Sequence, residues 1–287
     1  MQENRYFEIG KIKEVKDSTI LKTASLIKKG IVFDLGMEIN SNLPGKDMGL
    51  FPTRLLFEST PEDIFETLKK IEKDSEVSSS NEVIISPTHV STHIDALCHS
   101  IYNNKVVGKY NIKDIRTNKG WDKFGVETIP PIVGRGLLVD IAKYLNMEKL
   151  EDNHVVSLEE IKNCLKNNNL EIEFGDIICI RTGKIKDFWN EDYFLKGPGI
   201  GSDAAIWLAN KGMCILCIDY NSVDSLPWKN FNNSVHVQML YKSSIYIIEA
   251  INLEELSKRN ILEFFFVCSV PKFTGCSGIW VNPVAVL

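Results

Sequence analysis

Long apolar runs are missing from this chain of 287 residues. The longest, such as Phe264 to Val267 and Cys214 to Ile218, fall far short of the ~20 residues that a membrane-spanning helix needs. Blocks of one charge are missing as well. The net charge is -5 and the acidic and basic residues are interspersed, so no basic stripe invites nucleic acid or an anionic membrane surface. Met1 to Lys13 has no apolar core of the kind a secretory signal carries, and a cytoplasmic location is expected. Seven cysteines, an odd number without framework spacing, exclude a disulfide scaffold and suit a reducing compartment. Cys214 and Cys217 have CxxC spacing but lie in an apolar run that reads as a strand. Positions three apart on a strand face opposite ways, so the pair is expected to be structural. No GxSxG nucleophile elbow is present. Gly197-Pro-Gly-Ile-Gly201 lacks the Gly-Lys-Ser/Thr of a phosphate loop and reads as a tight turn.

What is present is ordinary globular material: 44% hydrophobic and 25% charged residues, enough to fill a sizeable core. No internal repeat or low-complexity linker divides the chain, and Asp74 to Asn81 reads as a polar loop. Thr60, Pro61 and Asp63 supply an N-cap, a first-turn proline and an acid at N3 for a helix through Lys73. Ser157 and Glu160 form a capping box for a helix ending near Asn168. Ser202 or Asp203 opens a third helix, which Gly212 closes. Between these lie strand-length apolar runs: Gly136 to Ile141, Asp176 to Thr182, Met213 to Asp219, Ser244 to Ala250 and Glu263 to Val270. This alternation predicts an α/β protein with a mixed β-sheet core and flanking helices. The runs 176–182 and 213–219, joined through a helix, are the best parallel pair.

Histidine is scarce, with five in the chain, yet three fall between positions 89 and 99, where even placement would put about 0.2 (11 × 5/287). The segment is His89-Val-Ser-Thr-His93-Ile-Asp95-Ala-Leu-Cys-His99. Two imidazoles and a carboxylate suit Zn²⁺ or a similar divalent ion and leave positions open for water and substrate. His93 and Asp95, two apart, share one face of a strand; Asp95 and His99, four apart, share one face of a helical turn. On a straight strand His89 and His93 would lie roughly 13 Å apart. The chain is therefore expected to bend near Ser91 and run into a short helix.

Glu249 sits in an apolar strand pattern, where an ionised carboxylate needs either a metal or a buried Lys or Arg. His236 precedes the apolar run VQMLY and reads equally as ligand or surface residue. Asp219 and Asp224 read as turn and backbone-bonding residues. His154 is expected to be exposed. Cys98 points away from its neighbour His99 and is not read as a nucleophile.

The pattern His89-x-Ser-Thr-His93-x-Asp95-Ala-x-x-His99 resembles the HxGTHxDxPxH signature of the cyclase-like metal hydrolases, the family of bacterial kynurenine formamidase and isatin hydrolase. Arg135 to Asp140, Gly175 to Gly183, the helix after Gly201 and the ending Asn282 to Leu287 are similar to the longer members of that family. The resemblance leaves residues 1–30 as an N-terminal extension to a hydrolase domain over 31–287. It implies a swivelling β/β/α fold, with His89, His93 and Asp95 holding a first metal. It further implies that Asp95 and Glu249 bridge to a second ion also bound by His236, and that His99 is the general acid/base. The segment from His236 resembles the family's His-containing strand. Ser91 stands where the signature has glycine, and Leu97 where it has proline. The stretch Asn40 to Arg54 has Phe51 but no tryptophan, unlike the short kynurenine formamidase subgroup.

The expected activity is hydrolysis of a C–N bond in an amide, formamide or cyclic amide of a small molecule, with one or two Zn or Mn ions. A kynurenine formamidase proper and a non-catalytic metal- or ligand-binding protein are the rival readings. The resemblance also implies a homodimer or homotetramer.

Overall fold

The computed structural model describes residues 10–45, 49–228 and 230–287. The readings of Met1 to Lys13 and of the Phe51 stretch therefore lie partly outside the described residues.

Nine strands form one mixed sheet. In spatial order they are Val32–Asp34, Val284–Val286, Glu263–Cys268, Ile132–Asp140, Ile177–Arg181, Ile215–Ile218, Tyr246–Glu249, His93–Asp95 and Gly278–Trp280. The four strands from 132–140 through 246–249 run parallel, and the remaining pairs are antiparallel. Ile177–Arg181, Ile215–Ile218 and Tyr246–Glu249 are buried at every position. Their apolar character is continuous rather than alternating because helices or loops cover both faces, as parallel strands require. The sheet and its flanking helices make the chain an α/β protein, and the pair 177–181 and 215–218 is parallel with the helix Ser202–Lys211 between them.

The helix signals hold with small shifts. Thr60 and Ser157 both form complete capping boxes, for the helices Pro61–Ile71 and Leu158–Asn167. Neither Ser202 nor Asp203 caps the third helix. Gly201 occupies the N-cap, because the Ser202 hydroxyl donates to the Asn233 carbonyl instead. Gly212 ends that helix at φ 106, a left-handed conformation that glycine adopts without a Cβ clash.

Gly197 to Gly201 is not a tight turn. Gly199–Ile200 pairs in parallel with Val155–Val156, and the glycine admits a neighbouring loop: a Cβ on Gly199 would lie 2.0 Å from the Ser225 amide nitrogen. His154 is partly buried rather than exposed, since its Nε2 lies 3.0 Å from Glu160 Oε1. Cys214 and Cys217 are both buried in the core. Residues 10–24 lie on the body of the protein: the Lys11 amide donates to the Ser244 carbonyl at 2.7 Å, its ammonium donates to the Ala209 carbonyl, and Ile12 is buried. Among the described residues no helix is long and apolar enough to cross a membrane.

One buried ionic network ties the C-terminal ends of two central strands together. The Arg181 guanidinium donates to Asp140 and Glu254, each at 2.8 Å, and the Ser257 hydroxyl donates to Asp140. Asp140 and Arg181 are both 4% exposed, so neither can recover its hydration if the other is lost. Arg181→Ala should therefore cost about 3–5 kcal/mol, read as a lower urea midpoint at an unchanged slope.

Candidate metal centre

The site begins with a three-residue strand. His93–Asp95 lies between Tyr246–Glu249 and Gly278–Trp280, with His93 opposite Glu249 and Trp280, and Asp95 opposite Ile247 and Gly278. Alternation puts His93 and Asp95 on one face, and cross-strand pairing brings Glu249 to that face. His93 Nε2 lies 3.6 Å from Asp95 Oδ1 and 3.4 Å from Glu249 Oε2. Its other nitrogen, Nδ1, donates to the Ser91 carbonyl at 2.9 Å, which fixes which edge of the ring faces the carboxylates.

The bend falls at Ser91, whose φ is 56. A serine tolerates that left-handed backbone less readily than the glycine of the signature. Its hydroxyl compensates by donating to the Met37 carbonyl at 2.9 Å. The bend carries His89 back over Asp95: His89 Nδ1 is 2.8 Å from Asp95 Oδ1, and Nε2 is 3.1 Å from Ser277 Oγ. The ring rests on Gly278, where a Cβ would come within 2.3 Å of it, so only glycine leaves His89 this position.

Beyond Asp95 the chain makes a single turn and not the expected short helix. The His99 amide donates to the Ala96 carbonyl at 2.9 Å, but the amides of Ala96 and Cys98 donate to Ser277 and Phe124. The His99 bond closes an i→i−3 turn, and among the described residues no i→i−4 bond follows it. The turn stacks the His99 ring on His89, centroids 4.0 Å apart. Cys98 is fully buried, and burial pushes its thiol up, away from thiolate chemistry.

His236 arrives from a different direction. It is the N-cap of a seven-residue π-helix, Val237–Ser243, and not part of a strand; a short buried apolar run fits either form. Its Nε2 lies 3.3 Å from Glu249 Oε1 and 3.6 Å from Asp95 Oδ2. Its Nδ1 lies 2.7 Å from Asp224 Oδ2. Asp224 also accepts from the Val235 and His236 amides, so it does the backbone work expected of it and orients a site imidazole besides. Asp219 is structural, accepting from Thr182 and Gly183. The partners of Glu249 are His93, His236 and the Val223 amide, in place of a Lys or Arg.

The other five site residues singled out from the sequence, His89, His93, His99, His236 and Glu249, thus surround Asp95. With Asp95, all but His236 fall into two overlapping sets, His89, Asp95 and His99, and His93, Asp95 and Glu249, each with ligand atoms close enough to share an ion. His89 and His93 fall in different sets, and His99 lies where a ligand can. Sequence reasoning missed Ser277, Gly278 and the orienting role of Asp224. None of these carries a local pattern, and each matters only through its contact across the fold.

The electrostatics follow from burial. Burial alone would raise Asp95, but the charge that His99 takes on in acid, the nearby His236 imidazole and the hydrogen bond from His89 hold it well below the carboxylate range. Burial and Asp95 both push Glu249 up, and His236 and His93 bring it down to about 2. Burial opposes the charged form of His93, yet Glu249 and Asp95 raise it; His236 is raised further by Asp224, Asp95 and Glu249. His99 goes the other way. Burial lowers it to about 4, against the pull of Asp95, so it is neutral at pH 7.

These residues fit a divalent ion. Asp95 Oδ2 is buried without a hydrogen-bond partner, an acceptor that protein groups leave unmet. His93 Nε2 lies 3.6 and 3.4 Å from Asp95 Oδ1 and Glu249 Oε2, spacings that match ligands about 2.0–2.2 Å from one ion, while His236 Nε2 faces the opposite oxygen of each carboxylate at 3.6 and 3.3 Å. The nitrogen and carboxylate donors are those such ions take.

Fold and site together define an α/β protein with a buried His/Asp/Glu centre able to hold a metal. The chain belongs to the putative cyclase family, whose model matches residues 31–225. A solved structure described as a novel cyclase is similar over 98% of this chain and 96% of its own, at 26% identity and a TM-score of 0.85. Isatin hydrolase A from Ralstonia solanacearum shares the fold over 90% of this chain and 92% of its own, at 17% identity and a TM-score of 0.66. A potential metal-dependent hydrolase with cyclase activity shares it over 89% and 98%, at 16% identity and a TM-score of 0.52. No curated protein matches the chain. The family match stops short of His236 and Glu249, so their place in the centre rests on the distances above.

Because His93 and His236 are raised, protons compete with a metal for them. Affinity for Zn²⁺ should climb as pH rises through their raised values and fall steeply towards pH 5. Titration calorimetry in buffers of different ionisation enthalpy should read about one to two protons released per ion near pH 6, and fewer once the pH has passed above those raised values.

Proposed function

We propose that this protein is a metal-dependent hydrolase that cleaves a C–N bond in an amide, formamide or cyclic amide. The observation that carries this reading is His99. Burial lowers it to about 4 where His93 and His236 are raised, and it borders an open cavity of about 260 Å³ next to His236. A merely metal-binding protein has no use for such a group, whereas hydrolysis needs a proton acceptor beside the reacting atoms.

His89, His93, Asp95, Glu249 and His236 would hold one or two ions, with Asp95 common to both sets and Zn or Mn suited to the donors. Bound there, a divalent ion supplies a Lewis acid that acidifies water and polarises a carbonyl oxygen. His99 takes a proton from the attacking water and returns it to the departing nitrogen. Water thereby adds its oxygen to the carbonyl carbon as the C–N bond breaks. Ser277, the Ser91 carbonyl and Asp224 hold His89, His93 and His236 in orientation. Ile101, Trp228 and Phe231, each 44–66% exposed, line the mouth of the cavity and offer apolar surface to the rest of the substrate. Seven unpaired cysteines, six of them buried, suit action in the reducing cytoplasm.

The fold is shared with isatin hydrolase, so formanilides, lactams and isatin-like rings are the first compounds to assay on Zn- or Mn-loaded protein. Elemental analysis should find metal in the purified protein, or after reloading. His93→Ala should lower metal content and turnover together. His99→Ala should keep the metal while kcat falls roughly 10²–10⁴-fold and KM changes much less. Loss of metal from His99→Ala would make His99 a ligand, and unchanged turnover would remove it from the reaction.

A further inference from the structure

The helices Leu158–Asn167 and Ser202–Lys211 pack against each other, and with the segment after the first they enclose an open trough of about 620 Å³. None of the residues lining it belongs to the metal centre or to the cavity beside His99. The floor is apolar, with Leu165 and Leu170 buried and Ile172 half-buried, and the half-buried Trp207 forms one wall. A space of that size, apolar at its base, suits a small molecule.

The rim is basic. Lys162 and Lys166 lie one turn apart on the first helix, and Lys211 ends the second. Lys162 Nζ is 5.3 Å and Lys211 Nζ 5.5 Å from the centre of the Trp207 ring, so two ammonium groups share one indole. Among the described residues none of the three lysines makes an ion pair, although acidic residues outnumber basic ones by 38 to 33. Lys149, Lys184, Lys186 and Lys196 show the usual alternative, each held by an Asp or Glu. Like charges at i, i+4 repel, and a third cation at the same trough adds to that repulsion. The one carboxylate on the rim is Glu171, which leaves two of three positive charges uncompensated.

A ligand that satisfies this trough has two parts. Its charge is negative and close to two units, because a concave rim of lysines concentrates the field and ammonium groups take phosphate or carboxylate as point charges. Its body is a flat ring, because an indole wall and an apolar floor reward stacking and burial of aromatic surface. A bare inorganic anion would leave the floor wet, and a neutral ring would leave the lysines unpaired. The geometry points to a second ligand site: the trough binds a small aromatic dianion, either an aryl dicarboxylate or a nucleoside monophosphate, with its charge among Lys162, Lys166 and Lys211 and its ring against Trp207. No stretch of sequence displays the site, since Lys166 and Lys211 meet only through the packing of the two helices. The inference is independent of the proposed chemistry.

Titration calorimetry on the full-length, metal-loaded protein, freed of excess metal, tests it. Adenosine 5′-monophosphate and benzene-1,3-dicarboxylate are the probes, with inorganic phosphate as the charge-only control and adenosine as the ring-only control. At least one dianion should bind one-to-one with a Kd below about 1 mM, roughly tenfold or more tighter than either control. The tighter of the two identifies the source of the charge. Lys162→Gln with Lys211→Gln should raise that Kd roughly tenfold or more, and added salt should weaken wild-type binding. Trp207→Leu should also weaken it and remove the quenching of tryptophan fluorescence that accompanies binding. Metal content and circular dichroism should match wild type in these variants, since no substituted residue touches the centre. His93→Ala, which lowers metal content, should leave the affinity unchanged. Neither dianion binding below about 1 mM, a control binding equally well, an affinity untouched by the lysine pair, or binding lost with His93→Ala would overturn the proposal.

Discussion

An ionised carboxylate sealed from solvent costs several kcal/mol unless its surroundings replace the lost hydration, and Asp95 is fully buried. Four imidazoles and a second carboxylate converge on it from three stretches of chain, residues 89–99, His236 and Glu249, through different structural devices. A strand brings His93, a cross-strand partner brings Glu249, a left-handed bend returns His89, and a π-helix start supplies His236. The central sheet explains how this is possible. Its parallel strands are rigid and buried on both faces, so the short strand at 93–95 is clamped between two neighbours and its side chains have little room to relax.

The charges in that pocket balance in two ways. Without an ion, two carboxylates face two imidazoles whose protonated forms they favour, which is close to neutral. One divalent cation with both imidazoles deprotonated is equally neutral. Exchanging two protons for one ion leaves the buried charge unchanged, so the fold need not rearrange to accept a metal. His99 stands outside this exchange. Among the described residues no carboxylate lies within hydrogen-bonding distance of it, and burial lowers it to about 4.

What could be read from residue order was whatever depends on near neighbours. Capping boxes at Thr60 and Ser157, the closing Gly212 and the apolar runs of the central strands are local signals; they lie within a residue or two of the expected place, except that the strand expected from Gly136 begins four residues earlier, at Ile132. The same holds for the site. His93 and Asp95 share a face because a strand has period two, and the bend at Ser91 followed from distance alone. The failures share a cause as well. The spacing of Asp95 and His99 is compatible with a helix, and the His99 amide closing on Ala96 in place of Asp95 makes it a single turn. Gly197 to Gly201 looked like a turn because its glycines answer to Ser225 and Tyr220, more than twenty residues away. Asp224, Ser277 and Gly278 could not have been found, since each acts on an imidazole from a distant part of the chain.

Ser91 illustrates how a signature position can change without losing its geometry. Glycine is favoured there because a left-handed backbone strains any residue with a Cβ, a penalty of about 1 kcal/mol. Serine adds a hydroxyl that glycine lacks, and that hydroxyl donates to the Met37 carbonyl, a bond worth about the same. The two terms offset each other, which is why the bend survives the substitution. The hydroxyl also ties the carbonyls of residues 37 and 38 to the loop that carries His89 and His93, a bond that a glycine could not make. The carbonyl of Ser91, pinned by this arrangement, is the acceptor that orients His93. A residue that looks like a defect in the pattern is thus one of the groups that hold the centre in place.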